Sequence, residues 1–182
     1  MPTNVSNPQG FRPTNRSASG GPSAAFRCHK LAAYPTALFI GDAVTKVAAG
    51  SQPTPAISAA ITPGTTPTYG VNLVYGAANT LTLEHLVIAA GNLQMFEVQD
   101  NNDVDGVGPA DINKNGNIEL FPGNALTQMS GHWLDESTIS GTATLDLKLQ
   151  GLLQIPGNVF GSFARVLVTF NNSQLANQVA GL

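Results

Sequence analysis

The stretch "TATLDLKLQGLLQIP" at 142–156 limits what this chain can fold into more than any other. Leu145, Leu147 and Leu149 alternate with Asp146, Lys148 and Gln150. Period two over that many residues predicts a strand with one face in a core and the other in water. "SFARVLVTFNN" at 162–172 repeats the pattern, with Val166, Val168 and Phe170 on one face. The "IPGNVFG" between the two runs reads as a turn.

The remainder of the chain is compatible with that beginning. "FRCHKLAA" and "LQMFEVQ" read as strands, and "TALFIGDAVTKV" as a strand, a Gly-Asp turn and a second β-prone run. "AAGSQPTPAISAAITPGTTPTYG" is loop-like, with a short strand expected around Ile57 and Ile61. "TYGVNLVYG" reads as a strand. "ANTLTLEHLVIAAGN" fits a helix about as well, with strand favoured at its start. "IELFPGNALTQMSGHWLDESTISGT" is mixed, and its Trp133 is expected in the core. No long 3.6-residue period appears. The expected fold is therefore all-β, a compact β-barrel or β-sandwich over 26–182 as a single β-rich domain. Residues 1–25 hold few large apolar side chains, chiefly Val5 and Phe11, among Pro, Gly, Ser and Asn. They are expected to form an extended N-terminal arm, ordered only on a neighbour and able to reach roughly 80 Å when stretched.

Charged residues make up 10% of the 182, against about 25% in an ordinary domain, which suggests a surface covered by partners. Residues 1–50 carry five cations and one anion, so a basic front precedes an acidic body. The cations are too dispersed for a phosphate-binding patch, so no direct nucleic-acid partner is expected. No apolar run reaches 18 residues and no export signal is seen, so no membrane partner is expected and synthesis is placed in the cytoplasm. Cys28 stands alone, which excludes an intrachain disulfide and a cysteine zinc site.

The segment "VQDNNDVDGVGPADINKNGNIE" at 98–119 carries five acidic residues. Asp111, Asn113, Asn115 and Gly116 match the start of a calcium loop, but its closing glutamate position holds Pro122. Asx-turns explain such a composition without a metal. If a cation binds, it is calcium, with Asp111, Asn113 and Asn115 as ligands and Asp103 and Asp105 after them. His29, His85 and His132 lie far apart, and Cys28 and His29 point to opposite faces of a strand. No nucleophile elbow, phosphate loop or dinucleotide fingerprint is present. The expectation is that the chain is not an enzyme and uses no cofactor.

Three stretches in order, "GFRP" at 10–13, "TALFIGDAV" at 36–44 and "LDLKLQGLLQIPGNVFGSFARVLVTFNNSQL" at 145–175, resemble a family of tailed-phage virion proteins found beside the major capsid protein. Asn172 departs from the family pattern, which has histidine there. The resemblance implies a capsid decoration, or cement, protein on the virion exterior. It would bind the major capsid protein and bridge neighbouring capsomers, as a homo-oligomer with a trimer favoured and a dimer possible. Phe11, Arg12 and Arg16 of the arm are the expected capsid contacts. The alternative is a β-sandwich module of a phage tail or receptor-binding component that binds carbohydrate or calcium through Asp111–Glu119 and Trp133.

Overall fold

The computed structural model describes residues 4–17, 25–48, 54–91, 93–175 and 181. They form eleven strands: β1 Arg12–Ser17, β2 Ala25–Lys30, β3 Ala43–Val47, β4 Ala56–Ser58, β5 Gly70–Asn72, β6 Thr82–Ala89, β7 Gln94–Gln99, β8 Asn115–Glu119, β9 Trp133–Ser140, β10 Leu147–Leu152 and β11 Arg165–Phe170. One 3-10 turn covers Pro109–Asp111, and no other helix occurs among the described residues. The chain is all-β, as the alternating runs predict.

Two assemblies share the work. Strands β2–β4–β3–β5–β6 close into a five-stranded barrel in which β2 and β4 are parallel. Strands β1–β7–β11–β10–β8–β9 form an antiparallel sheet. Its β9 edge returns toward the end of β7, because Asn101 N–H donates to Leu134 O at 3.0 Å and Asp100 bridges Leu134 just past β7. The main core lies inside this curled sheet and extends to Ala43, Val71 and Ile88 of the barrel. Phe11, Phe96 and Phe170 are its aromatic centre, with Phe170 5.0 Å from Phe11 and 5.1 Å from Phe96 between ring centroids. A smaller cluster of Cys28, Leu38, Val44, Ile57, Tyr69 and Val87 fills the barrel.

Leu147 and Leu149 of β10 and Val166, Val168 and Phe170 of β11 are fully buried, as read, whereas Leu145 precedes the strand and is half-buried. Asp146 does not follow the alternation. It precedes β10 and is buried, accepting from Gly64 N (2.9 Å) and Ile118 N (3.3 Å) through Oδ2 and from Asn172 Nδ2 (3.2 Å) through Oδ1. A carboxylate with three donors can sit inside a fold where a free one cannot. The ambiguous 78–92 segment is strand from Thr82 to Ala89. Loop-like "NGNIE" and mixed "WLDESTIS" are both strands, paired with each other as β8 and β9.

Residues 4–17 of the expected arm lie on the chain's own body. β1 pairs with β7, Phe11 N–H donates to Gly41 O (2.9 Å), and Asn7 N–H donates to Gln99 Oε1 (2.8 Å). Gln99 Nε2 reaches back to Val5 O and Phe163 O, both at 2.9 Å.

Candidate functional site

The acidic segment is a folded connection. Asp100 is buried and ties four backbone donors: Oδ1 accepts from Asn102 N (2.8 Å) and Phe163 N (3.1 Å), and Oδ2 from Ala164 N (2.8 Å) and Val107 N (3.4 Å). Burial raises its pKa against the pull of these donors, and burial does the same to Asp146. Asp111 spends one oxygen on Gly108 N (2.8 Å) and the other on Lys114 Nζ (3.0 Å). Asn113 is exposed in the left-handed region at φ 71°, with its N–H on Leu149 O. Asn115 is buried, and its Nδ2 donates to Thr142 O (3.0 Å). Of the three expected calcium ligands, Asp111 is engaged at the 3-10 turn, Asn113 stands exposed beyond it, and Asn115 is buried on β8. Asp103 lies near Asn101 (2.6 Å), whose Nδ2 also reaches Glu119 (2.8 Å). No group of three or more His, Cys, Asp or Glu suited to a metal occurs among the described residues.

The histidines and the cysteine are internal. His132 Nδ1 accepts from Ala43 N (3.2 Å) and its Nε2 faces Asp42 Oδ1 at 3.5 Å, while Asp42 Oδ2 caps Phe39 N (2.8 Å). Burial lowers the His132 pKa, with Asp42 pulling the other way. His85 Nδ1 contacts Asn72 Oδ1 at 2.8 Å, which puts the proton on Nδ1. Burial first, and then the charge of Lys30, hold His85 down to about 4. His29 Nδ1 contacts Thr54 Oγ1 (2.9 Å). Burial pushes the Cys28 thiol up to about 11, which suppresses the thiolate a nucleophile requires.

The expected arm contacts are placed as follows. Phe11 is 1% exposed against Phe170, so its side chain is committed to the chain's own core rather than held out to a neighbour. Arg12 is half exposed, donating to Gln9 Oε1 (2.8 Å), with Glu97 3.9 Å away. Arg16 lies on β1, and its side chain falls outside the described residues.

The stretches that carry the family resemblance meet one another inside the fold. A Cβ on Gly10 would lie 2.5 Å from Gly41 O and 2.4 Å from Ser130 Cβ, and both glycines have positive φ. "GFRP" and "FIGDAV" are therefore interlocked backbones where a side chain has no room. Asn158 of "IPGNVFG" holds its turn shut, donating to Leu153 O and Arg165 O, each at 2.7 Å. Those residues explain fold.

A different feature faces outward. Arm residues 4–9 run between two segments, 120–131 and 153–163, and none of the three contains Asp, Glu, Lys or Arg. Cleft residues show their adjacency. A cleft of about 490 Å³ lies between 4–7 and Ile155–Asn158, and one of about 220 Å³ between 7–9 and 122–131, with Asn7 common to both. Asn4 Nδ2 donates to Val159 O (2.8 Å) and Ser162 O (3.0 Å), fixing the arm to one side. Val5, Ile155, Val159 and Phe160 are exposed there, and Phe121 and Leu126 on the other side. These side chains stand in water, and no Asp, Glu, Lys or Arg lies in the three segments that carry them. Sequence reasoning points to Phe11 and the arginines; the signal for this arrangement is the lack of charge in three separate runs. Trp133 is half-buried, 6.2 Å from the Phe163 ring.

No family model matches the chain, and no match was found among curated proteins or solved structures.

Proposed function

We propose that this chain is a virion structural protein, a capsid decoration or cement protein. It binds the outer surface of a tailed-phage shell and stabilises it by bridging neighbouring units of the major capsid protein. The ordered motifs "GFRP", "TALFIGDAV" and "LQIPGNVFG" support the family. The observation that carries a surface-covering role is the uncharged face flanking the arm, with Phe121, Leu126, Val159 and Phe160 in water. A clamp works by burying such area across a seam, and many copies act together. The buried Phe11 makes the arm a part of this face rather than a free tether.

The test is occupancy on expanded heads. Phe121→Asp and Phe160→Asp alter exposed positions and place a charge in the proposed contact; each is expected to lower occupancy at least tenfold, on the order of one interface anchor. Unchanged occupancy in both would remove this face from the function. Heat on calcium addition that is lost in Asp111→Asn would instead favour the tail-module alternative.

A further inference from the structure

The turn at 39–43, which enters β3, is where separate parts of the molecule are fastened together. The arm docks there, with Phe11 N–H on Gly41 O (2.9 Å). The 120–131 loop docks there too, since Ile40 N–H donates to Gln128 O and Ser130 N–H to Ile40 O, both at 2.9 Å. β5 grips the turn from the barrel side: Gly41 N–H donates to Asn72 O (2.8 Å) and Asn72 N–H to Asp42 O (2.9 Å).

One imidazole closes this junction. His132, just ahead of β9, is buried. Its Nδ1 accepts from Ala43 N–H (3.2 Å), so the ring proton sits on Nε2, 3.5 Å from Asp42 Oδ1. Asp42 Oδ2 accepts from Phe39 N–H (2.8 Å), and the His132 backbone N–H donates to Ser130 Oγ (3.1 Å). Ser130, His132 and Asp42 match a catalytic triad by residue type only. The ring nitrogen away from Asp42 is taken by Ala43, so it cannot draw a proton from Ser130 Oγ. The same engagement makes the ring sensitive to acid. A proton on Nδ1 would face Ala43 N–H, donor against donor, inside the fold. Burial favours the neutral ring, and Asp42, the one titratable group acting on it among the described residues, pulls the other way. The fold thus holds His132 neutral, and its contribution is complete above the ordinary 6.5 and lost as pH falls below it.

We propose that His132 is an acid-sensitive latch: its neutral ring locks arm, loop and barrel together at 39–43, and uptake of one proton opens that junction and frees the arm while the curled sheet stays folded. The strands of that sheet contain no histidine. Their buried carboxylate neighbours, Asp100 and Asp146, have raised pKa values, so acid does not loosen the sheet through them. A second imidazole touches the junction indirectly. His85, faced by Lys30 and His29, contacts Asn72 Oδ1 through Nδ1 (2.8 Å), and the experiment must separate the two rings. The latch lies within one chain and is independent of the shell-binding reading.

The test is hydrogen exchange of the full chain, resolved by amide, as pH is lowered from above 6.5. Protection factors at Phe11 and Ala43 are expected to fall about tenfold per pH unit, the slope of one proton, while those of β11 hold. His132→Asn retains a side-chain oxygen for Ala43 N–H and takes up no proton, so it is expected to keep Phe11 protected over the same range. His85→Gln is expected to leave the Phe11 response in place. Nuclear magnetic resonance of the wild-type His132 ring needs no variant, and its titration is expected to coincide with release of the arm. A ring that stays neutral while Phe11 loses protection would overturn the proposal. So would a Phe11 response that survives His132→Asn or vanishes in His85→Gln, or an arm that lets go only together with β11.

Discussion

The barrel and the curled sheet are built from similar short strands but are held in different ways. The sheet encloses an apolar interior centred on three phenylalanines and strung with Leu147, Leu149, Val166 and Val168. The barrel has a small apolar cluster, with fully buried polar groups His29, Lys30, Ser58 and Asn72 around it. Asn72 alone donates to Phe39 O (2.9 Å) and Val74 O (2.7 Å) and accepts from His85. Lys30 Nζ has two carbonyls, Tyr34 O (3.1 Å) and Thr80 O (3.4 Å), and no carboxylate in ion-pair reach among the described residues. Aromatic packing tolerates pH and is hurt by lost volume, whereas a buried polar network is hurt by a lost partner or a gained proton. The two halves are expected to fail under different insults.

The largest expected effect is in the sheet. Phe170→Ala removes the ring that touches both Phe11 and Phe96, and should cost about 3–5 kcal/mol in chemical denaturation. A cost below 1 kcal/mol would mean the aromatic centre is loosely packed. Next comes the barrel. Asn72→Ala removes the amide shared by Phe39 O, Val74 O and His85 Nδ1, although Phe39 O keeps Asp42 N–H (3.2 Å), and is expected to cost about 1–3 kcal/mol.

Acidity should then separate the halves. His85 has a folded pKa of about 4, below its ordinary 6.5, so its contribution is fully present above 6.5 and is lost as pH falls toward 4. Hydrogen-exchange protection factors in β5 and β6 should therefore fall over that window, and His85→Gln should flatten the response. The buried Asp146 carries the opposite sign. Its pKa is raised on folding, so its charged form is a cost that grows as pH rises past the ordinary carboxylate value of 3.8. Asp146→Asn should remove that slope from the melting temperature while lowering stability overall, because an amide turns a donor toward Gly64 N, Ile118 N or Asn172 Nδ2. The smallest effect belongs to Arg27, paired with Glu84 in full solvent; Arg27→Ala should leave the melting temperature unchanged.

The same contrast explains what the sequence discloses. The β10 and β11 pattern is legible because one face is buried and period two survives. The barrel strands β4 and β5 are three residues each, too short to show a period, and β2 buries both faces toward its end, at Cys28, His29 and Lys30. Asp146 reads as solvent-facing, and Asp100 as one acid among five in a loop, because composition does not reveal how many backbone donors will converge on a carboxylate. β8 hides inside an Asn- and Asp-rich run for a related reason, since Asn115 and Asn117 look like turn residues while sitting on a strand. Of the outward face, the individual uncharged runs are readable, but their meeting on either side of residues 4–9 depends on long-range pairing that no local pattern encodes.

The most direct test of a surface-covering role is the copy ratio in purified full heads. Quantitative mass spectrometry of washed particles should find this chain at a fixed stoichiometry to the shell subunit, and the ratio should fall sharply in Phe121→Asp. Absence from washed heads, or a ratio that varies between preparations and ignores that substitution, would contradict it.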